Sequence, residues 1–185
     1  MLPDQIATKR LLLRPFVATD AAALHDYSRD PDWSRFQRIP TEFGSDDAVK
    51  SLTDLLQRDR LVRPTWAITR QGSVIGIVSL SFENDHRISV LGYGVHKKMW
   101  GQNMAHEAAR AVLEAAFSSH AILQRIRAHT DARNVGSIRV LEKLGFTHEG
   151  TLRSNQFGKG EFVDEAVFGL LRGEFAPTTG RESTI

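Results

Sequence analysis

A sheet-forming segment runs directly into a helix in the middle of this chain, and this junction restricts the possible folds more than any other feature. The segment "RISVLGYGV" is rich in β-branched residues and is interrupted by Gly92 and Gly94. In the following "HKKMWGQNMAHEA", strong helix formers take over. Over residues 101–117 apolar side chains recur four residues apart, which predicts a long helix with a wide apolar face. Glycine and small side chains at such a junction would let another molecule approach the backbone closely.

The length and composition predict one domain without disulfides. With 185 residues and 41% hydrophobic content, the chain can bury one core and is too short to favour two. We assign residues 1–176 to this domain and residues 177–185 to a polar C-terminal tail. No stretch reaches the ~20 apolar residues of a membrane span. The N-terminus lacks the apolar core of a signal peptide, and the chain has no cysteine, so we expect a cytoplasmic protein.

The charge pattern argues against nucleic acid and membrane partners. The formal net charge is +2 and the isoelectric point is near 9.1. Lys and Arg are dispersed among Asp and Glu rather than gathered in one block. The densest basic stretch, "RDRLVR" at residues 58–63, is interpreted most simply as a solvated helix end.

Alternation patterns predict an α/β (or α+β) fold with a mixed sheet. The stretches "TWAITR", "SVIGIVSLSFE" and "RISVLGYGV" are separated by short turn sequences, which predicts three antiparallel strands. Before them we predict one strand and two helices, separated by an irregular aromatic loop over residues 31–45. After the long helix we predict a strand, a helix that ends at Gly145, and two strands. The prediction comprises about seven strands and about four helices.

The strand-to-helix junction has the properties of an anion site. A helix N-terminus presents unpaired N–H groups and about half a positive charge, and phosphate is a common ligand there. The phosphate-binding loop of nucleotide enzymes is excluded, because Gly101 is followed by "QN" and not by a Gly-Lys-Ser/Thr ending. The dinucleotide fingerprint also fails, since "GYG" lies within the predicted strand.

Four stretches resemble the GNAT superfamily of acetyl-coenzyme A-dependent N-acetyltransferases, most closely its ribosomal-protein alanine acetyltransferase-like branch. They are "KRLLLRPF", "GYGVHKKMWGQNMAHEA", "NVGSIRVLEKLGF" and "EGTLR", and they follow the family's order within residues 9–175. The pyrophosphate signature of the family falls on residues 100–105, where Asn103 occupies a place usually held by glycine. Because asparagine tolerates left-handed backbone better than other non-glycine residues, we expect the loop to keep its shape.

The resemblance implies a single GNAT domain with a splayed, mostly antiparallel sheet that binds acetyl-coenzyme A as cosubstrate and no metal. Backbone N–H groups of residues 101–105 would hold the pyrophosphate, and the pantetheine would lie along Tyr93 to Val95. The Val95 amide is a candidate donor to the thioester oxygen. Gly92 and Gly94 suit a bulge that opens the sheet. The cofactor-binding residues that this implies are Tyr93, Val95, Trp100, Gly101, Gln102, Asn103, Met104, Ala105, Asn134 and Ser137.

The segment "NVGS" admits two interpretations. Asn134 and Ser137 match positions that contact the cofactor arm in the family, and the serine position is associated with the coenzyme A sulfur. A hydroxyl donor would stabilise the developing thiolate. Alternatively, Asn134 caps a helix and Ser137 occupies its third position. Both roles can hold at once.

The usual catalytic base of the family is missing. Related sequences often read Ala-Glu-Leu-Gly-Tyr before the junction, and Val90 stands here in place of the glutamate. Glu83, Asp85, His86 and His96 are nearby candidates, of which we select Glu83 and His96 as catalytic together with Ser137. Without a strong base, an α-amine or a weakly basic small amine is the favoured acceptor.

The acceptor pocket is the least determined part of the sequence interpretation. Trp33 and Phe36, with Phe43, could line an acceptor pocket or could merely anchor a long loop. The expected partner is an amine acceptor, either a peptide N-terminus or a small molecule, and a homodimer is the assembly considered. Because the glutamate is absent, a catalytically weak sensor or partner-binding module that keeps the acyl-coenzyme A site is the alternative.

Overall fold

The computed structural model describes residues 1–37, 39–40 and 42–176, and these form one eight-stranded sheet with five α-helices. The strands are β1 (Ile6–Ala7), β2 (Leu12–Arg14), β3 (Thr65–Arg70), β4 (Ser73–Glu83), β5 (Ile88–Val95), β6 (Arg125–Asp131), β7 (Thr147–Gly158) and β8 (Glu161–Leu171). The helices are α1 (Ala21–Ser28), α2 (Pro31–Ser34), α3 (Ser45–Leu56), α4 (Met104–Ser119) and α5 (Val135–Lys143). None of these described helices is long and apolar enough to cross a bilayer. The proposed tail at residues 177–185 lies outside the described residues.

The sheet is mixed, and one parallel pair determines its topology. The strand order is β1-β2-β3-β4-β5-β6-β8-β7. Neighbouring strands pair antiparallel except β5 and β6, which are parallel. Helix α4 is the crossover connection that a parallel pair requires. The predicted fold class and the mostly antiparallel sheet are confirmed.

Two short elements account for the difference between the predicted and observed counts. Strand β1 has 2 residues and α2 has 4 residues, so neither is long enough to show a periodic apolar pattern. Helix α2 lies in the stretch that we predicted as irregular loop. It begins at Pro31, and the Asp30 carboxylate accepts hydrogen bonds from the Asp32 and Trp33 amides at 2.9 and 3.2 Å. This combination of an aspartate cap with proline at the first position is a recognisable local signal that the periodicity analysis missed.

Apolar side chains pack on both faces of the sheet. Helix α4 buries its predicted apolar face against β-strand side chains and α5 joins the same cluster. On the opposite face, α1, α2 and α3 contribute to a second buried cluster. That cluster contains Phe16, Leu24, Tyr27, Trp33, Leu52 and Ala67. The sheet therefore separates a side flanked by α4 and α5 from a side flanked by α1, α2 and α3.

A buried ion pair fastens the first helix to the sheet. Arg14 at the end of β2 donates from both terminal nitrogens to the Asp20 carboxylate, each at 2.8 Å. The Val17 amide donates to the same carboxylate at 2.9 Å. Burial alone would raise the pKa of the Asp20 carboxyl, but these hydrogen bonds outweigh it and hold that pKa below its usual value.

Candidate functional site

The sheet opens where β5 and β6 separate. These strands pair only from Ile88 opposite Arg125 to Val90 opposite Arg127. Strand β5 continues to Val95 paired with β4, and β6 continues to Asp131 paired with β8. The C-terminal halves of the two strands therefore border a cleft within the sheet. This confirms the splay predicted near residues 92–95.

The cleft does not arise from a bulge at Gly92 and Gly94, and that part of the prediction is wrong. The register of β4 with β5 is continuous along the whole pair, so the opening results from β5 leaving β6. Gly94 instead makes room for a ring, because a Cβ atom there would lie 3.1 Å from Cζ2 of Trp33. Glycine at this position lets α2 pack closely against β5.

The loop that leads into α4 has a backbone suited to an anion. Gly101 has φ +72° and Asn103 has φ 59°, so both lie in the left-handed region, as expected for the asparagine. A Cβ atom at Gly101 would find nothing within 4 Å, so the loop is open on that side. Within the described chain, the amides of Asn103, Met104 and Ala105 have no hydrogen-bond partner. Free amides at a helix N-terminus fit a phosphate group.

Two polar links hold this loop in place. The Trp100 indole nitrogen donates to the Val95 carbonyl oxygen at 3.0 Å, which joins the loop to the end of β5. Arg10 donates to the Gln102 carbonyl oxygen at 3.0 Å and to the Glu107 carboxylate at 2.6 Å. Sequence reasoning missed Arg10 and Glu107 because they are 97 positions apart and no local pattern connects them.

Ser137 and Tyr93 meet on the α4 and α5 side of the cleft. The Asn134 side-chain oxygen accepts a hydrogen bond from the Ser137 amide at 3.1 Å, so the helix-capping interpretation is confirmed. The Ser137 and Tyr93 hydroxyl oxygens are 3.0 Å apart, and the Tyr93 hydroxyl also donates to the Ser137 carbonyl oxygen at 3.1 Å. Burial raises the pKa of the Tyr93 phenol to about 12, against an opposing effect of its hydrogen bond with Ser137. Tyr93 therefore stays a neutral donor at physiological pH.

The two proton acceptors selected from the sequence are both engaged, and the structure does not bring them together. Glu83, at the closed end of the β5–β6 pair, forms an ion pair with Arg127. His96 follows β5, with its Nε2 3.2 Å from a carboxylate oxygen of Asp26. Its Nδ1 accepts a hydrogen bond from the Lys98 amide at 3.0 Å.

Trp33 lies beside the cleft, on the face opposite α4. It is 7% exposed and packs edge-on against Tyr27, with the ring centroids 5.0 Å apart. Its indole nitrogen is buried, and no hydrogen-bond partner for it exists among the described atoms. Phe36 follows α2 and is half-buried under the Arg35 guanidinium, which lies 5.2 Å from its ring centroid.

This arrangement gives the cleft two different sides. The unpaired amides before α4 and a hydroxyl pair lie towards α4 and α5, whereas Trp33 and Val90 lie on the other face. A molecule with a phosphate end and an extended arm can enter from the first side while a second molecule approaches from the other. Across the described ranges, no three His, Cys, Asp or Glu side chains are grouped to hold a metal ion.

Comparisons with known sequences agree with this geometry. The sequence model of the acetyltransferase (GNAT) domain matches residues 10–147, which is more than half of the chain. Over 178 residues the chain is 29% identical to the uncharacterised N-acetyltransferase p20 of Bacillus licheniformis, and the match covers 94% of this chain and 99% of that protein.

Solved structures show the same fold. A GNAT-family acetyltransferase from Bacillus anthracis has a TM-score of 0.82 at 25% identity, over 92% of this chain and 99% of that chain. RimJ of Mycobacterium smegmatis, in complex with a coenzyme A disulfide, has a TM-score of 0.81 at 22% identity, over 93% of this chain and 89% of that chain. The chain therefore belongs to the GNAT superfamily of acetyl-coenzyme A-dependent N-acetyltransferases.

Proposed function

We propose that this enzyme acetylates the α-amine of a protein N-terminus or a weakly basic small amine, by direct attack in a ternary complex without an acetyl-enzyme. This choice of acceptor rests on one observation: β5 has Val90 at the position where related chains often have a glutamate base. A chain without that glutamate is best matched to an amine whose neutral, attacking form is already populated at neutral pH.

The magnitudes favour an α-amine over a lysine side chain. An α-amine titrates near ~8 and a lysine near ~10.4, so at neutral pH roughly a tenth of the former but under ~0.1% of the latter is neutral. General-base help is worth about 10²- to 10⁴-fold in rate. Lysine acetylation would suffer more from the loss of a strong base than α-amine acetylation.

We propose that residues on the α4 side hold acetyl-coenzyme A. The free amides that begin α4, beside Gly101, would bind the pyrophosphate. Trp100 and Gln102 would keep the loop in shape through their hydrogen bonds to the Val95 and Lys98 carbonyl oxygens at 3.0 and 2.8 Å. Asn134 would contribute by fixing the start of α5.

The backbone of β5 supports the proposed contact with the acyl arm. The His96 amide donates to the Ile75 carbonyl oxygen at 2.7 Å, on the β4 side. Since amides alternate in direction along a strand, the Val95 and Tyr93 amides point away from β4, towards the cleft. They would pair with the pantetheine amides and the thioester oxygen.

The reaction needs one donor and one acceptor of protons. The amine nitrogen attacks the thioester carbon, the carbon–sulfur bond breaks, the amine loses a proton and the thiolate gains one. Ser137 would donate to the departing sulfur, with the Tyr93 hydroxyl 3.0 Å behind it. Glu83 and His96 are the acceptor candidates drawn from the sequence.

The remaining assignments follow from this function. Trp33 and Phe36 would border the acceptor, and residues 1–176 would form the catalytic domain with residues 177–185 as a tail. A cysteine-free chain suits the reducing cytoplasm. A homodimer is compatible with these assignments, and no nucleic acid, membrane or metal is required.

The alternative function is a sensor or partner-binding module that keeps the cosubstrate site, and the absent glutamate is the observation that favours it. Calorimetry with acetyl-coenzyme A and a thiol-release assay over N-terminal peptides, polyamines and aminated antibiotics distinguish the two. The enzyme proposal predicts binding together with acceptor-dependent thiol release. Binding without turnover on any amine would favour the module.

A further inference from the structure

We infer that His129 is the proton acceptor for the amine and that Glu165 positions it; this assignment rests on the proposed acetyl transfer. Sequence analysis did not select either residue. They lie on β6 and β8, on the side of the cleft from which the acceptor would approach.

Strand alternation places His129 on the acceptor face of the sheet. Ile126 and Ala128 are buried in the cluster beneath α4 and α5, so the intervening Arg127 and His129 project to the opposite face. Val90 is the register partner of Arg127. His129 therefore follows one step further along the same face, just beyond the point where β5 and β6 part.

This register makes His129 a substitute for the missing glutamate. Two positions further along β6 than Arg127, His129 lies on the same face of the sheet as Arg127 and Val90. His129 therefore borders the opening between β5 and β6, on the face onto which a glutamate at position 90 would project. Val90 is shorter than glutamate and has no group that could accept a proton.

Glu165 lies where it can orient the His129 imidazole as a general base. The Glu165 side chain is 7% exposed, and one of its oxygens lies 3.4 Å from His129 Nδ1. Asn155 donates to the same carboxylate oxygen at 2.8 Å, which fixes its orientation. A carboxylate beside Nδ1 favours the proton on that nitrogen and leaves the Nε2 lone pair for the substrate. In the described structure, no protein atom is hydrogen-bonded to His129 Nε2.

The other candidates are less well arranged. Glu83 is held by Arg127, and both ring nitrogens of His96 face partners, the Lys98 amide and the Asp26 carboxylate. Ser137 lies across the cleft, towards α5, where it is placed to serve the sulfur. A base on one side of the cleft and a donor on the other suit an amine that attacks the thioester carbon from one side and a thiolate that leaves on the other.

The proton balance of the step is complete without another reactant. As the amine nitrogen bonds to the thioester carbon, its proton passes to His129 Nε2 and the carbon–sulfur electron pair goes to sulfur. Glu165 stabilises the resulting imidazolium. The imidazolium then returns its proton to solvent, and the thiolate is protonated.

The first test is His129→Gln in the full chain, with the panel amine that the wild type acetylates best. We expect turnover to fall about 10²- to 10⁴-fold while acetyl-coenzyme A affinity by calorimetry stays within about twofold. His148→Gln is the matched control, because His148 is an exposed histidine on β7, and this variant should retain turnover. A double variant, Val90→Glu with His129→Gln, should recover activity, since it returns a carboxylate to the same space.

The second test is the pH profile of turnover. His129 faces Glu165 on β8, and its neighbours on the same face of β6 are Arg127 and Asp131. Arg127 is paired with Glu83 on β4, and the Asp131 carboxylate is paired with Arg133 and lies near Arg35. Wild-type turnover should rise with pH, because only a neutral imidazole can accept the amine proton. In His129→Gln only the rise that comes from deprotonation of the acceptor amine near ~8 should remain. In Glu165→Gln the His129-dependent part of the rise should move to lower pH, because that variant no longer stabilises the imidazolium. A purely structural Glu165 would change the melting temperature without moving the profile.

The outcomes separate the two proposals. If folded His129→Gln turns over as fast as the wild type, with the same pH profile, the assignment of His129 is contradicted but the proposed function is not. Loss of turnover in His129→Gln through weaker acetyl-coenzyme A binding also contradicts it. No turnover by the wild type on any amine contradicts the proposed function and this assignment with it.

Discussion

At the scale of single residues, the loop before α4 depends on the absence of a side chain at Gly101. We expect Gly101→Val to weaken acetyl-coenzyme A binding by more than tenfold, about 1.4 kcal/mol. The new side chain would enter the open space proposed for the pyrophosphate, and a β-branched residue is strained at φ +72°. Calorimetry on the folded variant measures the effect.

Gly72→Val is the matched control for this prediction. Gly72 lies in the turn between β3 and β4, has φ +81° and likewise has nothing within 4 Å of an added Cβ atom. The control should suffer similar backbone strain and keep its affinity. Equal affinity in both variants would mean that the pyrophosphate does not bind beside Gly101.

The role of the Ser137 hydroxyl can be tested separately from the stability of α5, in whose first turn Ser137 lies. In Ser137→Ala we expect turnover to fall by about 10²- to 10³-fold with little change in acetyl-coenzyme A affinity, because a bond to the departing sulfur strengthens only as charge develops. The melting temperature should change little, since the Asn134 cap uses the Ser137 backbone amide, which alanine retains. Single-turnover rates, calorimetry and melting curves on one preparation measure all three quantities.

Ser89→Ala controls for loss of a buried hydroxyl. Ser89 is 0% exposed, and its hydroxyl donates to the Ser81 carbonyl oxygen at 3.1 Å. This variant should lose stability while turnover per folded molecule is unaffected. Turnover near wild type in Ser137→Ala would remove Ser137 from the catalytic residues.

At this scale, local residue spacing predicted backbone conformation and helix capping, but it could not predict contacts between residues distant in sequence. The left-handed Asn103 and the Asn134 cap follow from residue types at fixed offsets, and both are confirmed. Sequence spacing could not predict the contacts of Arg10, Glu107 and His129, because their neighbours belong to strands and helices that are distant in sequence. The sequence of an alternating strand does not show which face of the sheet a histidine occupies or which residues of the neighbouring strands it contacts.

At the scale of elements, the Arg14–Asp20 pair joins β2 to α1, and its removal should loosen the acceptor side. We expect Asp20→Asn to lower the free energy of unfolding at neutral pH by about 3 kcal/mol, because Arg14 loses a largely buried partner. Asp26→Asn is the control. Asp26 is half exposed and pairs at the surface with Arg29 and His96, so its replacement should cost below about 1 kcal/mol.

The pH dependence of that difference follows from the lowered pKa of Asp20. A carboxyl whose pKa is lower in the folded state stabilises the fold fully above its ordinary value of about 4, and this contribution is lost as the pH falls through the lowered value. Denaturant titrations should therefore show the wild-type advantage over Asp20→Asn shrinking below about pH 4. A constant difference down to strongly acidic pH would mean that the carboxylate charge is not responsible.

The elements themselves were predictable where apolar patterns are long. The hairpins of β3, β4 and β5 and the long helix α4 follow from periodicity. Helix α4 begins at Met104, later than predicted from position 101, because Gly101 and Asn103 are left-handed. The prediction of a bulge was wrong because the opening results from β5 separating from β6. The sequence of one strand does not show which strand pairs with it or where that pairing ends.

At the scale of the whole molecule, the sheet separates the two sides that we propose for the two substrates. Helices α4 and α5 flank the side proposed for acetyl-coenzyme A, while α1, α2 and α3 flank the side proposed for the amine. The parting of β5 from β6 connects the two sides. This division would allow both substrates to be bound at once, as direct transfer requires.

The most direct test of the central claim is to incubate the protein with acetyl-coenzyme A and a panel of peptides, each with a free α-amine and one internal lysine, and to map acetylation by mass spectrometry. The account predicts one acetyl group on the α-amine, no transfer to peptides with a blocked N-terminus, and no acetyl group on the protein when the acceptor is omitted. Lysine acetylation that persists with a blocked N-terminus, or an acetylated protein that passes its acetyl group to a later acceptor, would contradict it.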